Sequence, residues 1–199
     1  MNEKIYVIDD DEVLRYSLSM LLETAGHRVE SYESAMAFLR SGSPGSRGCI
    51  ILDARMPGMD GPALQAELAR QGVNLPVIFL TAHGSIPNAV SAIKAGAVDF
   101  LTKPVDGALL LARVHEALVQ NRKMADRIEK SASAASLLAR LTNREREILS
   151  LAIAGNSNKE IARILGISYR TVEIHRSQIM KKTGAANLLE LARIASQAL

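Results

Sequence analysis

Three aspartates in a row, Asp9, Asp10 and Asp11, follow the apolar residues 5–8, and Asp53 follows a second apolar run at 49–52. Thr81 closes a third run, and Lys103 stands just after a weaker fourth. Carboxylates crowded together repel unless a cation joins them, and hard oxygen donors in this number suit Mg2+ with some water retained. Phosphoryl transfer asks for the same set: a carboxylate nucleophile, with a hydroxyl, an ammonium and a divalent cation to hold the equatorial oxygens. That chemistry requires all of them in one pocket.

Hydrophobic spacing predicts elements able to collect them. Apolar runs at 5–8, 49–52 and 77–80, with weaker ones at 28–32 and 98–101, read as five strands. Helical spacing appears between them in Val13, Leu14, Leu18, Leu21 and Leu22, in Ala63, Leu64 and Leu68, and in Ala89, Val90 and Ile93. Asp60 with Pro62, and Ser85 with Pro87, read as helix starts, where a side-chain oxygen caps free amides and proline loses no useful donor. Alternating strand and helix predicts a parallel sheet covered on both faces, with its ligand site at the carboxyl ends of the strands. The acids, Thr81 and Lys103 all fall on that edge.

Composition bounds the rest. The 199 residues, 48% hydrophobic and 23% charged, fit one large or two small folded domains and exclude a disordered or collagen-like chain. The longest uncharged stretch, residues 71–93, contains Asn74, Pro76, His83, Gly84, Pro87 and Asn88, so no membrane span is expected. The start of the chain turns acidic by its ninth residue, unlike a secretory signal, and a cytoplasmic protein is expected. Cys49 reads as a small buried strand residue.

Charge divides the chain. Residues 1–120 hold 10 Lys and Arg against 14 Asp and Glu; residues 121–199 hold 14 against 7. The basic half is the electrostatic footprint of a nucleic-acid binder. From Leu141 onward four short helices are marked by caps: Thr142 with Glu145, Ser157 with Glu160, Asn187 with Glu190, and Ser168 for the remaining one. Residues 158–165, a turn at Gly166 and residues 168–182 form helix, turn and helix, with Ala162 at the crossing and Ile167, Val172 and Ile179 toward the core. At about 100° per residue, Arg170, Glu173, Ile174, Ser177 and Lys181 share the opposite stripe. In a major groove Glu173 can accept from cytosine, Ile174 can touch a thymine methyl and Ser177 can bond several base edges. Arg170, Thr171, Arg176, Lys181 and Lys182 suit phosphates, with Ser168 beside them at the helix start.

The segments VIDDDE, LDARMPGMDG, LTAHG and KAGAVDFLTKP resemble the receiver domain of bacterial two-component response regulators, over about residues 3–120. The resemblance implies a flavodoxin-like α/β fold with a five-stranded parallel sheet. It implies that Asp53 accepts the phosphoryl group, that Asp9 and Asp10 hold Mg2+ together with Asp53 and the backbone carbonyl of Arg55, and that Lys103 ion-pairs with the product. Thr81 matches the hydroxyl that reorients toward the phosphoryl group and Phe100 the aromatic switch; lacking a hydroxyl, Phe100 would distinguish its states by packing. Pro104 completes a Lys-Pro peptide that is often cis in the family. His83 draws no catalytic role, because in this family the phosphohistidine belongs to the partner sensor histidine kinase.

The sequence LTNREREILSLAIAGNSNKEIARILGISYRTVEIHRSQIMKKTGA resembles the LuxR/NarL-type helix-turn-helix, a small all-α domain, with the match reaching about Ala198. TVEIHR, TAHG and AVDFLTKP point to the FixJ-like subgroup, which includes styrene and toluene catabolism regulators. In such proteins the last helix helps dimerisation on DNA; Leu188, Leu191 and Ile194 suit that part. The expected layout is a receiver at 1–120, a linker at 121–136 that is either helical or a tether near residues 131–136, and a DNA-binding domain at 137–199. The expected partners are a histidine kinase, double-stranded promoter DNA, RNA polymerase and a second copy upon phosphorylation. One alternative is a DNA-binding regulator independent of phosphate. Another is a Mg-dependent phosphohydrolase of the haloacid-dehalogenase type, suggested by Asp9 and Asp11 but lacking the further acidic pair after its lysine, where only Asp106 follows closely. A stand-alone metabolic enzyme is not expected.

Overall fold

The computed structural model describes residues 3–42, 44–45, 47–82 and 99–198. They belong to two compact units, Met1–Ala125 and Asp126–Leu199. In the first, β1 (Lys4–Ile8), β2 (Arg28–Tyr32), β3 (Gly48–Asp53), β4 (Val77–Thr81) and β5 (Asp99–Thr102) form a parallel sheet in the order β2-β1-β3-β4-β5. Among the described residues its helices are α1 (Glu12–Thr24), α2 (Ala35–Arg40), α3 (Gly61–Arg70) and the beginning of α4 (Gly107–Ala139).

Strand side chains alternate between two separate cores, as the pleat requires. Ile5, Val7, Cys49, Ile51, Ile78 and Leu80 pack with Leu18 and Leu22 of α1 and Leu110 and Val114 of α4. Tyr6, Ile8, Ile50, Leu52, Val77 and Phe79 pack with Phe38 of α2 and Leu64 and Leu68 of α3. Burial on both faces accounts for the nearly continuous apolar runs. Asp11 and Asp60 cap α1 and α3, accepting from backbone N–H groups two or three residues on. Hydrophobic spacing did not announce α2: six residues are under two turns, too few to display a period. The helix expected around Ala89 to Ile93, its start at Ser85 and Pro87, and His83 lie outside the described residues.

The helix α4 runs unbroken for 33 residues, so residues 131–136 are helical rather than a loose tether. In the second unit, α5 (Asn143–Ile153), α6 (Asn158–Leu165), α7 (Tyr169–Thr183) and α8 (Leu188–Gln197) follow. Thr142 with Glu145 and Ser157 with Glu160 close reciprocal capping boxes, and Ser168 and Asn187 cap α7 and α8. Gly166 ends α6 at φ 65°, a left-handed conformation that suits glycine, and turns the chain into α7. Ile148, Ile161, Val172, Ile179, Leu191 and Ile194 fill the core, joined by Ala134 from the end of α4. This corrects one expectation: Leu191 and Ile194 are core residues and Leu188 packs against them, so the apolar side chain that α8 leaves exposed is Leu189. No helix among the described residues is long and apolar enough to cross a membrane.

Candidate functional site

Strand order reverses between β1 and β3: from β1 the chain proceeds to β2 on one side, and from β3 to β4 on the other. A crevice opens outside the carboxyl ends at such a point. Asp9 directly follows β1 and Asp53 is the last residue of β3, so both stand at its mouth. Asp9, Asp10 and Asp53 each place a carboxylate oxygen within 4.8 Å of the others. From beyond β5, Lys103 reaches back until its Nζ is 2.7 Å from Asp9 Oδ2 and 3.1 Å from Asp53 Oδ2. Its own N–H donates to the carbonyl of Thr81, the buried last residue of β4, at 2.7 Å, and the Lys103–Pro104 peptide is cis. Arg55 donates its backbone N–H to Asp53 Oδ1 at 3.2 Å. The half-buried Phe100 ring lies 6.4 Å from that of Phe79.

Electrostatics follows burial. Removal from water pushes the Asp53 carboxyl above its ordinary value, against the opposing hydrogen bonds of Arg55 and Lys103. For Lys103 burial works to lower the ammonium, but the hydrogen bonds to Asp9 and Asp53 outweigh it and hold the group above the usual lysine range. Three carboxylates against one ammonium leave the pocket negative. An all-oxygen donor set, with Asp9 buried and Asp10 exposed to water, fits a hard divalent cation that keeps part of its hydration.

On α7 of the second unit, Arg170, Glu173, Ile174, Ser177 and Lys181 all face solvent. From Arg170 to Lys181 the helix rises roughly 16 Å, enough to cross a major groove about 12 Å wide. Two further basic residues of the helix have partners within the unit. Arg176 donates to Asn158 Oδ1 at 2.6 Å, and Lys182 Nζ lies 2.7 and 2.8 Å from the two carboxylate oxygens of Glu145. The Thr171 hydroxyl lies 2.8 Å from that of Ser168.

Residues 5–115 match the response regulator receiver domain family, and residues 139–195 match the luxR family of bacterial regulatory proteins. The chain belongs to the response regulators. Among curated relatives, this regulator is 44% identical over 191 residues to the transcriptional regulatory protein FixJ of Azorhizobium caulinodans, covering 96% of this chain and 90% of that one. It is 44% identical over 180 residues to the transcriptional regulatory protein TdiR of Thauera aromatica, covering 90% and 79%. The solved structure of the response regulator StyR superimposes with a TM-score of 0.90 at 39% identity, covering 99% of this chain and 100% of that one. The regulator therefore carries a receiver and a LuxR-type DNA-binding domain, and the two named relatives are transcriptional regulators. Its receiver domain implies a histidine kinase partner, and its LuxR-type domain implies DNA.

Of the residues that the sequence singled out, Asp9, Asp10, Asp53 and Lys103 come together, with Thr81 on the same edge and Phe100 on the adjoining strand. Hydrophobic spacing gave no sign of two others that support the regulator's pocket from behind its acidic loop and strand end. Arg15, one turn into α1, donates through Nη1 to the carbonyl of Asp9 at 2.7 Å and so holds the acidic loop. Gly61 lets α3 start against β3: a Cβ there would lie 2.5 Å from the Asp53 carbonyl oxygen and 2.8 Å from Phe79 Cε1. The second glycine in LDARMPGMDG was a signal for such a close approach.

Proposed function

We propose that Asp53 accepts a phosphoryl group from a partner histidine kinase, and that the phosphorylated regulator dimerises and binds paired half-sites in promoter DNA. The observation that carries this reading is the Asp53 carboxylate, near Asp9 and 3.1 Å from Lys103, on a chain that also exposes a groove-sized stripe on α7. An Asp53 carboxylate oxygen attacks phosphorus, the bond from phosphorus to the kinase's imidazole nitrogen breaks, and the imidazole leaves. Lys103 Nζ and the Thr81 hydroxyl then donate to the phosphoryl oxygens. Mg2+, held by Asp9, Asp10, Asp53 and the backbone carbonyl of Arg55, would supply positive charge to the equatorial oxygens when bound.

Thr81 moves toward the phosphoryl group and Phe100 repacks beside Phe79, which alters the face presented by β5. Phosphorylation has only to favour the dimerising state by its differential free energy. Residues 1–120 act as receiver, 121–136 as helical linker and 137–199 as DNA-binding domain, in a cytoplasmic protein that works with RNA polymerase. The exposed Leu189 of α8 is the apolar residue available to a second copy. On DNA, Arg170 and Lys181 take phosphates while Glu173, Ile174 and Ser177 face base edges. Ser168 and Thr171 stand at the amino end of α7, where a helix favours a phosphate. Intact mass after incubation with Mg2+ and acetyl phosphate tests the first step. One phosphoryl adduct is expected on the wild type and none on Asp53→Ala; an equal adduct on both overturns it.

A further inference from the structure

Glu145 is 3% exposed at the start of α5, a depth at which a carboxylate requires a partner. Its Oε2 accepts the N–H of Thr142 at 2.7 Å, and Lys182 Nζ lies 2.8 Å from Oε1 and 2.7 Å from Oε2. Capping does not demand that burial: the same box on α6 is made by Glu160, which is exposed. What distinguishes Glu145 is its second partner, 37 positions along the chain in the last turn of α7. One carboxylate thus ties the amino end of α5 to the carboxyl end of α7. Two neighbouring ties involve α6: Arg144 donates to the Leu165 carbonyl at 2.7 Å, and Arg176 to Asn158 Oδ1 at 2.6 Å. Lys182 follows Lys181 immediately, but about 100° around the helix it turns toward α5 while Lys181 faces water.

Base-edge contacts tolerate little error in the tilt of the helix that makes them, and buried ion pairs are best attested where they set register rather than where they add stability. We propose that the Glu145–Lys182 pair is a positioning device for DNA reading. It fixes the angle of α7, and so the register at which Glu173, Ile174 and Ser177 meet the bases, and Lys182 does not contact phosphate. The inference rests on the DNA-binding reading of the second unit.

The test uses the full chain treated with acetyl phosphate and two duplexes of equal length: one enriched from a random pool by the wild type, the other unselected. Affinities of wild type, Lys182→Gln, Glu145→Gln and Lys181→Gln are measured over a salt series, beside thermal melts. Lys182→Gln keeps the capping box and serves where Glu145→Gln folds poorly. Lys181→Gln should weaken both duplexes alike and lower the salt slope by about 0.9, as a lost phosphate contact does. Lys182→Gln should leave the slope unchanged and lose affinity for the selected duplex about tenfold beyond any loss on the unselected one, the size of a lost base contact. A lowered slope for Lys182→Gln overturns the proposal by making it a phosphate contact. Equal losses on both duplexes that follow the unfolded fraction overturn it by reducing the pair to fold stability. If the wild type enriches no duplex, the DNA-binding reading itself fails, and the inference with it.

Discussion

Gly61→Ala isolates the close approach that places the Asp53 strand end against α3. The added Cβ would sit 2.5 Å from the carbonyl oxygen of Asp53 and 3.1 Å from Cα of Ala54, both backbone atoms without a rotamer to yield. Relaxed contact needs about 3.5 Å, so the start of α3 and the end of β3 must separate by roughly 1 Å. Overpacking of this kind costs about 2 kcal/mol, or roughly 8 °C in melting temperature for a unit of this size. The same shift moves Asp53 relative to Lys103, now 3.1 Å away. Misplacement by about 1 Å slows a reaction on the order of 100-fold. The assay is thermal melting together with the rate of adduct formation from acetyl phosphate, followed by intact mass. Gly26→Ala is the control: its φ of 89° strains an alanine but nothing lies within 4 Å, so it should lower stability and leave the rate alone. A Gly61→Ala protein with the melting temperature and rate of the wild type would falsify the packing argument.

Other perturbations reach different parts of the chain. Burial works against the charge of Glu145, but its hydrogen bonds with Lys182 and Thr142 outweigh it and hold the carboxyl below its ordinary 4.5. A depressed folded-state value means that this stability is full above 4.5 and is lost as pH falls through the folded value. The urea midpoint reported by the methyl signals of Ile161 and Ile179 should therefore drop on acidification, and drop less in Lys182→Gln. Asn121 is buried and accepts the Gly48 N–H at 2.9 Å, so Asn121→Ala should cost about 1–3 kcal/mol and speed hydrogen exchange at Gly48. Burial pushes the Cys49 thiol up to about 12. A thiol reagent at pH 8 should leave the folded protein unmodified and label it once in urea; labelling of the native state at the denatured rate would contradict that burial.

Much of the fold was legible because its signals are local or periodic. Four of five expected strands lie within the observed ones to a residue at either end; burial on both faces writes an apolar run into β1, β3 and β4, while β2, at the sheet edge and half exposed, shows only a weak one. The caps of the second unit are read within three residues of each helix start, so Thr142, Ser157, Ser168 and Asn187 mark their helices without reference to anything distant. The strand-end rule located the acids, Thr81 and Lys103 for the same reason: it needs only the place where each strand ends and no side-chain geometry. α2 had no such period, and the role of Leu191 and Ile194 was misjudged because an apolar face does not say whether it meets its own core or another molecule.

The sequence by itself determined the alternation of strand and helix, the helix starts, and the concentration of acids at one sheet edge. These depend on backbone satisfaction and side-chain period over a few residues. Only the tertiary structure decided partners. Lys103 finds Asp9 across 94 positions, and Arg15 supports the same loop from a face of α1 that its spacing does not announce. Gly61 became important only when α3 lay against the end of β3. On α7 four basic residues look alike in sequence, yet Arg176 and Lys182 turn inward to Asn158 and Glu145 while Arg170 and Lys181 face water. Which side of a helix meets a neighbour is set by packing of whole elements, and a charge becomes structural or functional according to that choice.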